Sequence, residues 1–245
     1  MLGTIQSMGT YTIANKFKKR IPNSITDLSL SNYSIVYQND CNSLSNLTVN
    51  NNGVTVVNGT YSAAGTGTTY GAINTGISLL NKTITVDISS NLLAEFYFGC
   101  DSSGSGYMIR FETRPDSIVY ISYMAAPTSW TNRGYWVDPT EPSTWTIITG
   151  PAPAGSANDT SRRLQASVWY TIIMSIASDG TLSWAAQKQG TPTFINNTTY
   201  PQYTNFKVSD ANRFIAVNGA GGNGRSQFDN IKIYNQALYK VLAES

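Results

Sequence analysis

Short stretches in which apolar and polar residues alternate recur along most of the chain. The clearest are "TITVDIS", "GYMIRFE", "SVWYTIIMSIA" and "FDNIKIY". A period of two predicts β-strands with one buried face, because successive side chains of a strand point to opposite sides. The residues predicted to face the core are Ile84, Val86, Ile88, Tyr170, Ile172, Met174, Ile176, Ile231 and Ile233.

Turn-forming residues separate these stretches. Asn-Gly pairs in "NNNG" and "VVNGTY" predict tight hairpin turns, because both residues tolerate positive φ, and "DSSGSG" and "SDGT" predict further hairpins. Only the tail "NQALYKVLAES" fits one or two helical turns. About a dozen strands without crossover helices predict an all-β fold, a two-sheet antiparallel β-sandwich of the jelly-roll type. A closed barrel is the alternative.

The first 33 residues break the alternating pattern, so we divide the chain into an N-terminal extended arm, 1–33, and a β-sandwich, 34–245. The arm contains a basic cluster formed by Lys16, Phe17, Lys18, Lys19 and Arg20. Such a cluster is either a solvated segment or a docking arm for another protein. A terminal arm becomes ordered only when something holds it, so the arm is predicted to dock on a neighbour or to add an edge strand.

A long insertion at about 125–166 also breaks the pattern. It collects most of the prolines and three of the five tryptophans. Irregular connections of this length are usually functional or disordered, and the aromatic residues argue against disorder. The candidate carbohydrate- or partner-binding residues are Trp130, Arg133, Tyr135, Trp136 and Trp145. Aromatic faces pack on sugar rings, but the same residues suit a subunit interface or a small satellite core under the loop.

Composition places the chain outside the class of helical cytosolic enzymes. Only 12% of the residues are charged, against about 25% in an ordinary soluble domain. The net charge is +2, which predicts no nucleic-acid partner. The first 20 residues lack the apolar core of a secretory signal peptide, and no apolar run is long enough to predict a membrane span.

The chain contains no histidine, which excludes Ser-His-Asp and Cys-His catalysis. Carboxylate pairs remain, and Glu95 and Glu112 are candidates because they lie in the two strands of one predicted hairpin. An ion pair with Arg110 is the simpler interpretation. We therefore predict no enzyme activity and no catalytic residues, with a carboxylate-based glycosidase as the alternative.

No cofactor is required by these residues. Asp101 and the following Ser- and Gly-rich loop are candidate ligands for calcium, although a plain hairpin turn explains the same residues. We predict no other metal site. Cys41 and Cys100 are too few for a zinc site, and two buried free thiols are favoured over a disulfide.

The C-terminal stretch "RFIAVNGAGGNGRSQFDNIKIYNQAL" resembles the closing segment of laminin-G-like domains in the concanavalin A-like superfamily. Those domains end in a strand, a glycine-containing loop and a last strand of acidic, polar, apolar, basic, apolar, tyrosine and asparagine residues, here Asp229 to Asn235. Asn230 replaces the second acidic residue that the family often has. The segments "YQNDCNSLSNLTVNNNGVTVVNGTYSA" and "SVWYTIIMSIASDGTLSWAAQ" extend the resemblance to about 35–238. It implies a jelly roll whose first and last strands lie near each other.

Together these features predict a non-catalytic surface protein that presents a laminin-G-like module for carbohydrate or host-surface binding. The expected setting is a virion surface or the outside of a cell, as a phage fibre, adhesin or capsid-decoration protein. Its partners would be other virion proteins through the arm, glycans, and other copies of the chain. A glycoside hydrolase or lyase and a secreted lectin of the same superfamily are the alternatives.

Overall fold

The computed structural model describes residues 33–50, 53–64, 70–91, 93–102, 106–112, 119–124, 145–149, 165–178, 182–190, 194–200, 211–220 and 225–237. These residues form fifteen β-strands and one 3-10 turn, Leu44–Asn46. The strands are β1 Ile35–Asn39, β2 Val49–Asn50, β3 Val54–Val57, β4 Thr60–Ala64, β5 Tyr70–Asn74, β6 Lys82–Ser90, β7 Leu93–Cys100, β8 Gly106–Glu112, β9 Val119–Met124, β10 Trp145–Thr149, β11 Tyr170–Ile176, β12 Leu182–Lys188, β13 Phe194–Tyr200, β14 Phe214–Ala220 and β15 Arg225–Tyr234.

The described strands form two antiparallel sheets that pack as a β-sandwich, as the sequence predicts. The eight-stranded sheet has the order β13-β12-β11-β6-β15-β4-β3, and β1 also pairs with β15. The seven-stranded sheet has the order β10-β9-β8-β7-β14-β5-β2. Successive strands pair in β3–β4, in β7–β8–β9–β10 and in β11–β12–β13, whereas β14 and β15 lie in the middle of the two sheets.

The core between the sheets confirms the alternation in the sequence. All nine residues predicted to face inward belong to one buried cluster. From the seven-stranded sheet they meet Ala94, Phe96 and Phe98 of β7, and the rings of Phe96 and Phe98 stack with centroids 6.4 Å apart. Burying an aliphatic side chain of this size contributes about 1.5–3 kcal/mol, so the interior faces supply most of the stabilisation.

The last strand, β15, pairs with the first strand of the described chain. Its first half pairs with β4, and its second half pairs with β1, where Asn39 lies opposite Ile231. The resemblance therefore predicted the proximity of the first and last strands correctly. Ile231 and Ile233 are fully buried, but β15 lies inside its sheet, with β6 along its other side.

A β-bulge interrupts β15 at Asp229 and Asn230, where the register with β6 shifts. Asn230 adopts φ 49°, and its side-chain amide donates to Asp87 Oδ2 at 3.0 Å. Its backbone N–H donates to Asp229 Oδ1 at 2.8 Å. Burial raises the pKa of Asp229, the Asn230 hydrogen bond opposes this shift, and the neighbouring Asp87 and Asp40 add to it.

We expect Asp229→Asn to stabilise the protein at pH 7. The pKa of Asp229 is higher in the folded protein than its unfolded value of about 3.9, so the protonated side chain favours folding. This contribution is fully present below the unfolded pKa and is lost as the pH rises through the folded pKa. At pH 7 the carboxylate therefore opposes folding, by no more than about 1 kcal/mol because the site is partly open to solvent. Urea unfolding at pH 7 and pH 3 measures the change. The gain should disappear at pH 3, and a destabilised variant at both pH values would contradict this account.

The turns agree with the sequence in one case and differ in another. Asn58 and Gly59, with φ 52° and 78°, form the tight turn between β3 and β4. The segment before them was wrongly predicted as a hairpin. β2 pairs with β5 in the seven-stranded sheet, while β3 pairs with β4 in the eight-stranded sheet, so "NNNG" connects the two layers. A turn signal shows where the chain reverses, but the partner of each strand depends on distant residues.

The insertion is not irregular throughout, which corrects the sequence prediction. Residues 145–149 form β10, which pairs with β9 at the edge of the seven-stranded sheet. "WTIIT" has β-branched and aromatic residues that suit a strand, but the surrounding prolines hide this signal. The remainder of 125–164, the arm and the tail beyond residue 237 lie outside the described residues.

Both cysteines are buried free thiols, as the sequence favours. Cys41 belongs to the core between the sheets. Burial, with the nearby Asp229, raises the pKa of the Cys41 thiol far above its usual range, so this group stays protonated. Cys100 packs with Ala72, Tyr97 and Ala216 on the other face of the seven-stranded sheet.

Candidate ligand-binding face of the seven-stranded sheet

The outer face of the seven-stranded sheet, which points away from the core, carries a buried polar network. Tyr97 Oη donates to Glu95 Oε2 at 2.7 Å, and Asn218 Nδ2 donates to the same oxygen at 2.8 Å. The exposed fractions of Glu95, Tyr97 and Asn218 are 2%, 5% and 4%. A carboxylate this buried is costly unless it accepts hydrogen bonds, and these two donors offset part of that cost.

Strand alternation explains why these residues share a face. Ala94, Phe96 and Phe98 of β7 enter the core, so Glu95 and Tyr97 point the other way. Asn218 lies directly opposite Glu95 in the β14–β7 pair. Residues directly opposite one another in antiparallel strands have neighbouring side chains, so the register brings together groups 123 positions apart in sequence.

One atom of this network lacks a partner. Asn218 Oδ1 is buried and accepts no hydrogen bond, and it is the only such side-chain atom in the part of the chain that the structure describes. An unsatisfied buried acceptor costs about 1–3 kcal/mol, so native structures seldom keep one without a reason. A hydroxyl or amide N–H of a bound molecule would satisfy this oxygen.

The strand register extends the face on both sides of this network. Tyr70 of β5 lies opposite Asn218, and Arg110 of β8 lies opposite Glu95. Arg110 in turn lies opposite Tyr120 of β9. The adjacent row runs from Tyr97 through Met108 and Ser122 to Trp145. Tyr97 and Trp145 are three strands apart, or about 14 Å.

Of the five predicted binding residues, the structure places one on this sheet. Trp145 begins β10, in the same row as Tyr97. Trp130, Arg133, Tyr135 and Trp136 lie outside the described residues, as do Lys16, Phe17, Lys18, Lys19 and Arg20 of the arm. Their roles stay predictions.

The two candidate catalytic carboxylates do not lie opposite each other. Glu95 lies opposite Arg110, and Glu112 lies opposite Leu93, so the glutamates occupy diagonal positions on one face. The neighbouring position of Arg110 agrees with the simpler interpretation of Glu95. Sequence reasoning singled out Glu95 but missed Asn218, whose only signal was a polar residue within the apolar strand "RFIAVN".

The described residues contain no group of three or more His, Cys, Asp or Glu side chains arranged to hold a metal ion. The Ser- and Gly-rich loop after Asp101 lies only partly within them, and calcium there stays a prediction. No helix in the described part of the chain is long and apolar enough to cross a membrane.

Comparison with known proteins identifies a fold. No protein-family model matches the chain, and no curated protein matches it. Among solved structures, the binding domain of Paraclostridial Mosquitocidal Protein 1 matches with a TM-score of 0.52 and 14% identity over 86% of this chain and 51% of that one. The potassium-bound carbohydrate recognition domain of Emp46p matches with a TM-score of 0.49 and 14% identity over 84% of this chain and 100% of that one.

The ligand binding domain of botulinum neurotoxin serotype D, in complex with N-acetylneuraminic acid, matches with a TM-score of 0.49 and 10% identity over 87% of this chain and 51% of that one. The chain spans about half the length, or less, of several of the structures that it matches. At these identities the likeness concerns the fold alone. The match to the mosquitocidal protein fits the jelly-roll-like sandwich predicted from the sequence.

Proposed function

We propose that this chain is a non-catalytic binding module that holds carbohydrate on the outer face of the seven-stranded sheet. The observation that carries the proposal is the unpaired, buried Asn218 Oδ1 beside Glu95 and Tyr97. Few ligand classes other than sugars combine many hydrogen-bonding hydroxyls with a face that packs on aromatic rings. The mosquitocidal protein domain, whose fold this chain resembles, is named as a binding domain, which is compatible with the proposal.

The chemistry of the face suits a sugar ring. A sugar hydroxyl both donates and accepts, so one hydroxyl is able to donate to Asn218 Oδ1 and accept from a neighbouring donor. Tyr70, Tyr120 and Trp145 occupy positions on the same face, where aromatic rings offer flat apolar surface. Glu95, Tyr97 and Asn218 are almost fully buried, so hydrogen bonds that a ligand makes with them would be shielded from water.

Binding without catalysis is the simpler use of Glu95. Its Oε2 already accepts hydrogen bonds from Tyr97 and Asn218, which fix the position of the side chain. A glycoside hydrolase is the second candidate, since diagonal cross-strand positions such as 95 and 112 lie about 7–8 Å apart. Inverting glycosidases use two carboxyl groups about 6.5–9.5 Å apart, and this candidate requires Glu95 and Glu112 at that separation.

The test is glycan binding by wild type and Glu95→Gln, measured on an array and then by calorimetry. We expect Glu95→Gln to weaken binding by about 10- to 100-fold, because it removes the charged acceptor that holds the Asn218 amide, and a hydrogen bond to a charged group is worth about 1.5–3 kcal/mol. The amide keeps the side-chain shape, and the melting temperature shows whether the fold is intact. Gln38→Ala, at an exposed position of the other sheet, is the control and should bind like wild type.

Two outcomes would contradict the proposal. Wild-type protein that binds no glycan on the array excludes carbohydrate as the ligand of this face. Release of reducing ends from a polysaccharide, lost in Glu112→Gln, would instead establish the glycosidase.

The sequence also predicts a more specific setting that neither the fold nor the described side chains test. It is a laminin-G-like module displayed on a virion as a fibre, adhesin or decoration protein, and docked through the basic cluster of the arm. A calcium ion near Asp101 and self-association of the chain belong to the same set of predictions.

A further inference from the structure

We infer that the outer face of the seven-stranded sheet selects uncharged, hydroxyl-donating sugars and rejects anionic ones such as sialic acids and uronic acids. This inference rests on the proposed function and names the ligand class of the same site. Hydrogen-bond direction selects a donor group at Asn218, and the charge of the face disfavours anionic sugars.

The first argument is the direction of the hydrogen bonds. Asn218 Oδ1 is the acceptor without a partner, while the amide nitrogen of Asn218 is already used by Glu95 Oε2. A ligand atom next to Asn218 Oδ1 must therefore donate. A sugar hydroxyl or an acetamido N–H does so, whereas a carboxylate or sulfate oxygen only accepts and would face another acceptor.

The second argument is the charge of the face. Within the described strands, the register places three charged residues on the outer face: Glu95, Arg110 and Glu112. Two negative charges and one positive charge give a net charge of −1. The other positions are uncharged, namely Val49, Tyr70, Ala72, Asn74, Leu93, Tyr97, Cys100, Gly106, Met108, Tyr120, Ser122, Met124, Trp145, Ile147, Phe214, Ala216, Asn218 and Ala220.

The arginine does not reverse this conclusion. Arg110 occupies the position directly opposite Glu95, so the register gives the face no cation at a position away from a carboxylate. An anion that binds beside the buried Glu95 would lose water and lie next to another carboxylate. Buried charges without a partner are strongly unfavourable, whereas neutral hydroxyls lose little when each finds a hydrogen bond.

The experiment compares matched pairs of glycans that differ only by an anionic group, such as lactose and sialyllactose, on an array and by calorimetry at low ionic strength. We expect the neutral member of each pair to bind at least about 10-fold more tightly. Equal or tighter binding of the anionic member would overturn the inference but leave carbohydrate binding intact. Binding of neither member across the array would overturn the proposed function itself.

A charge-reversal variant, Glu112→Lys, tests the electrostatic argument. It changes the net charge of the face from −1 to +1, so the preference for neutral glycans should fall by about 10-fold or more at low salt, and by less at high salt. Asp40→Lys is the matched control, because it makes the same change of charge at an exposed position that follows β1 of the other sheet. An unchanged preference in folded Glu112→Lys would mean that charge on this face does not select the ligand.

Discussion

Phe228→Ala is expected to lower the free energy of unfolding by about 3–5 kcal/mol, as deletion of a buried aromatic ring usually does. Phe228 is fully buried and lies between Tyr61 of β4 and Ile88 of β6. Its ring therefore fills space at the centre of the eight-stranded sheet, in the core between the two sheets. Removal of the ring leaves a cavity that rigid neighbouring strands cannot close. Urea unfolding at pH 7 measures the effect.

Leu44→Ala is the matched control for that substitution. Leu44 is 41% exposed, so its truncation should change the free energy of unfolding by no more than about 0.5 kcal/mol. Similar losses in the two variants would show that the burial of Phe228 does not determine its contribution. A loss below about 1 kcal/mol in Phe228→Ala would have the same meaning.

We expect Asn39→Ala to lower the free energy of unfolding by about 2–4 kcal/mol. Asn39 Oδ1 accepts from the backbone N–H of Cys41 at 2.8 Å and from Asn46 Nδ2 at 3.3 Å. Its amide donates to Tyr61 Oη at 3.3 Å, and Tyr61 Oη donates to the Ser43 carbonyl at 2.8 Å. Alanine would leave a buried N–H unsatisfied, which alone costs about 1–3 kcal/mol.

The conformation of Cys41 depends on the same hydrogen bond from its backbone N–H to Asn39. Its φ of 55° lies in the left-handed region, which is unfavourable by about 1–2 kcal/mol for a residue other than glycine. The Asn39 side chain holds that turn at the end of β1. Thermal and urea unfolding should both detect the loss, while Gln38→Ala, on the exposed side of β1, should resemble wild type. Equal effects at positions 38 and 39 would refute this role of the network.

The unpaired oxygen of Asn218 connects fold and function. A sandwich needs only apolar inner faces for stability, and the outer face of a sheet is free to carry polar groups. Here that face contains a buried carboxylate, two donors to it and one free acceptor. Such an arrangement costs stability and is therefore more typical of a binding site than of a scaffold.

The sequence by itself determined the fold class, the inner faces of the strands and the tight turn at Asn58. These features depend on neighbouring residues, since side chains alternate along a strand and Asn-Gly adopts positive φ locally. The pattern of "FDNIKIY" was enough to predict that Ile231 and Ile233 are buried and that the last strand lies near the first.

Only the tertiary structure decided which residues form the candidate site. Glu95 meets Asn218 because β14 inserts beside β7 in a particular register, and a shift of one residue would point Asn218 into the core. The separation of β2 and β3 into different sheets and the addition of β10 to the seven-stranded sheet were decided in the same way. Local patterns cannot specify these pairings, because their free energy comes from contacts between strands that are distant in the chain.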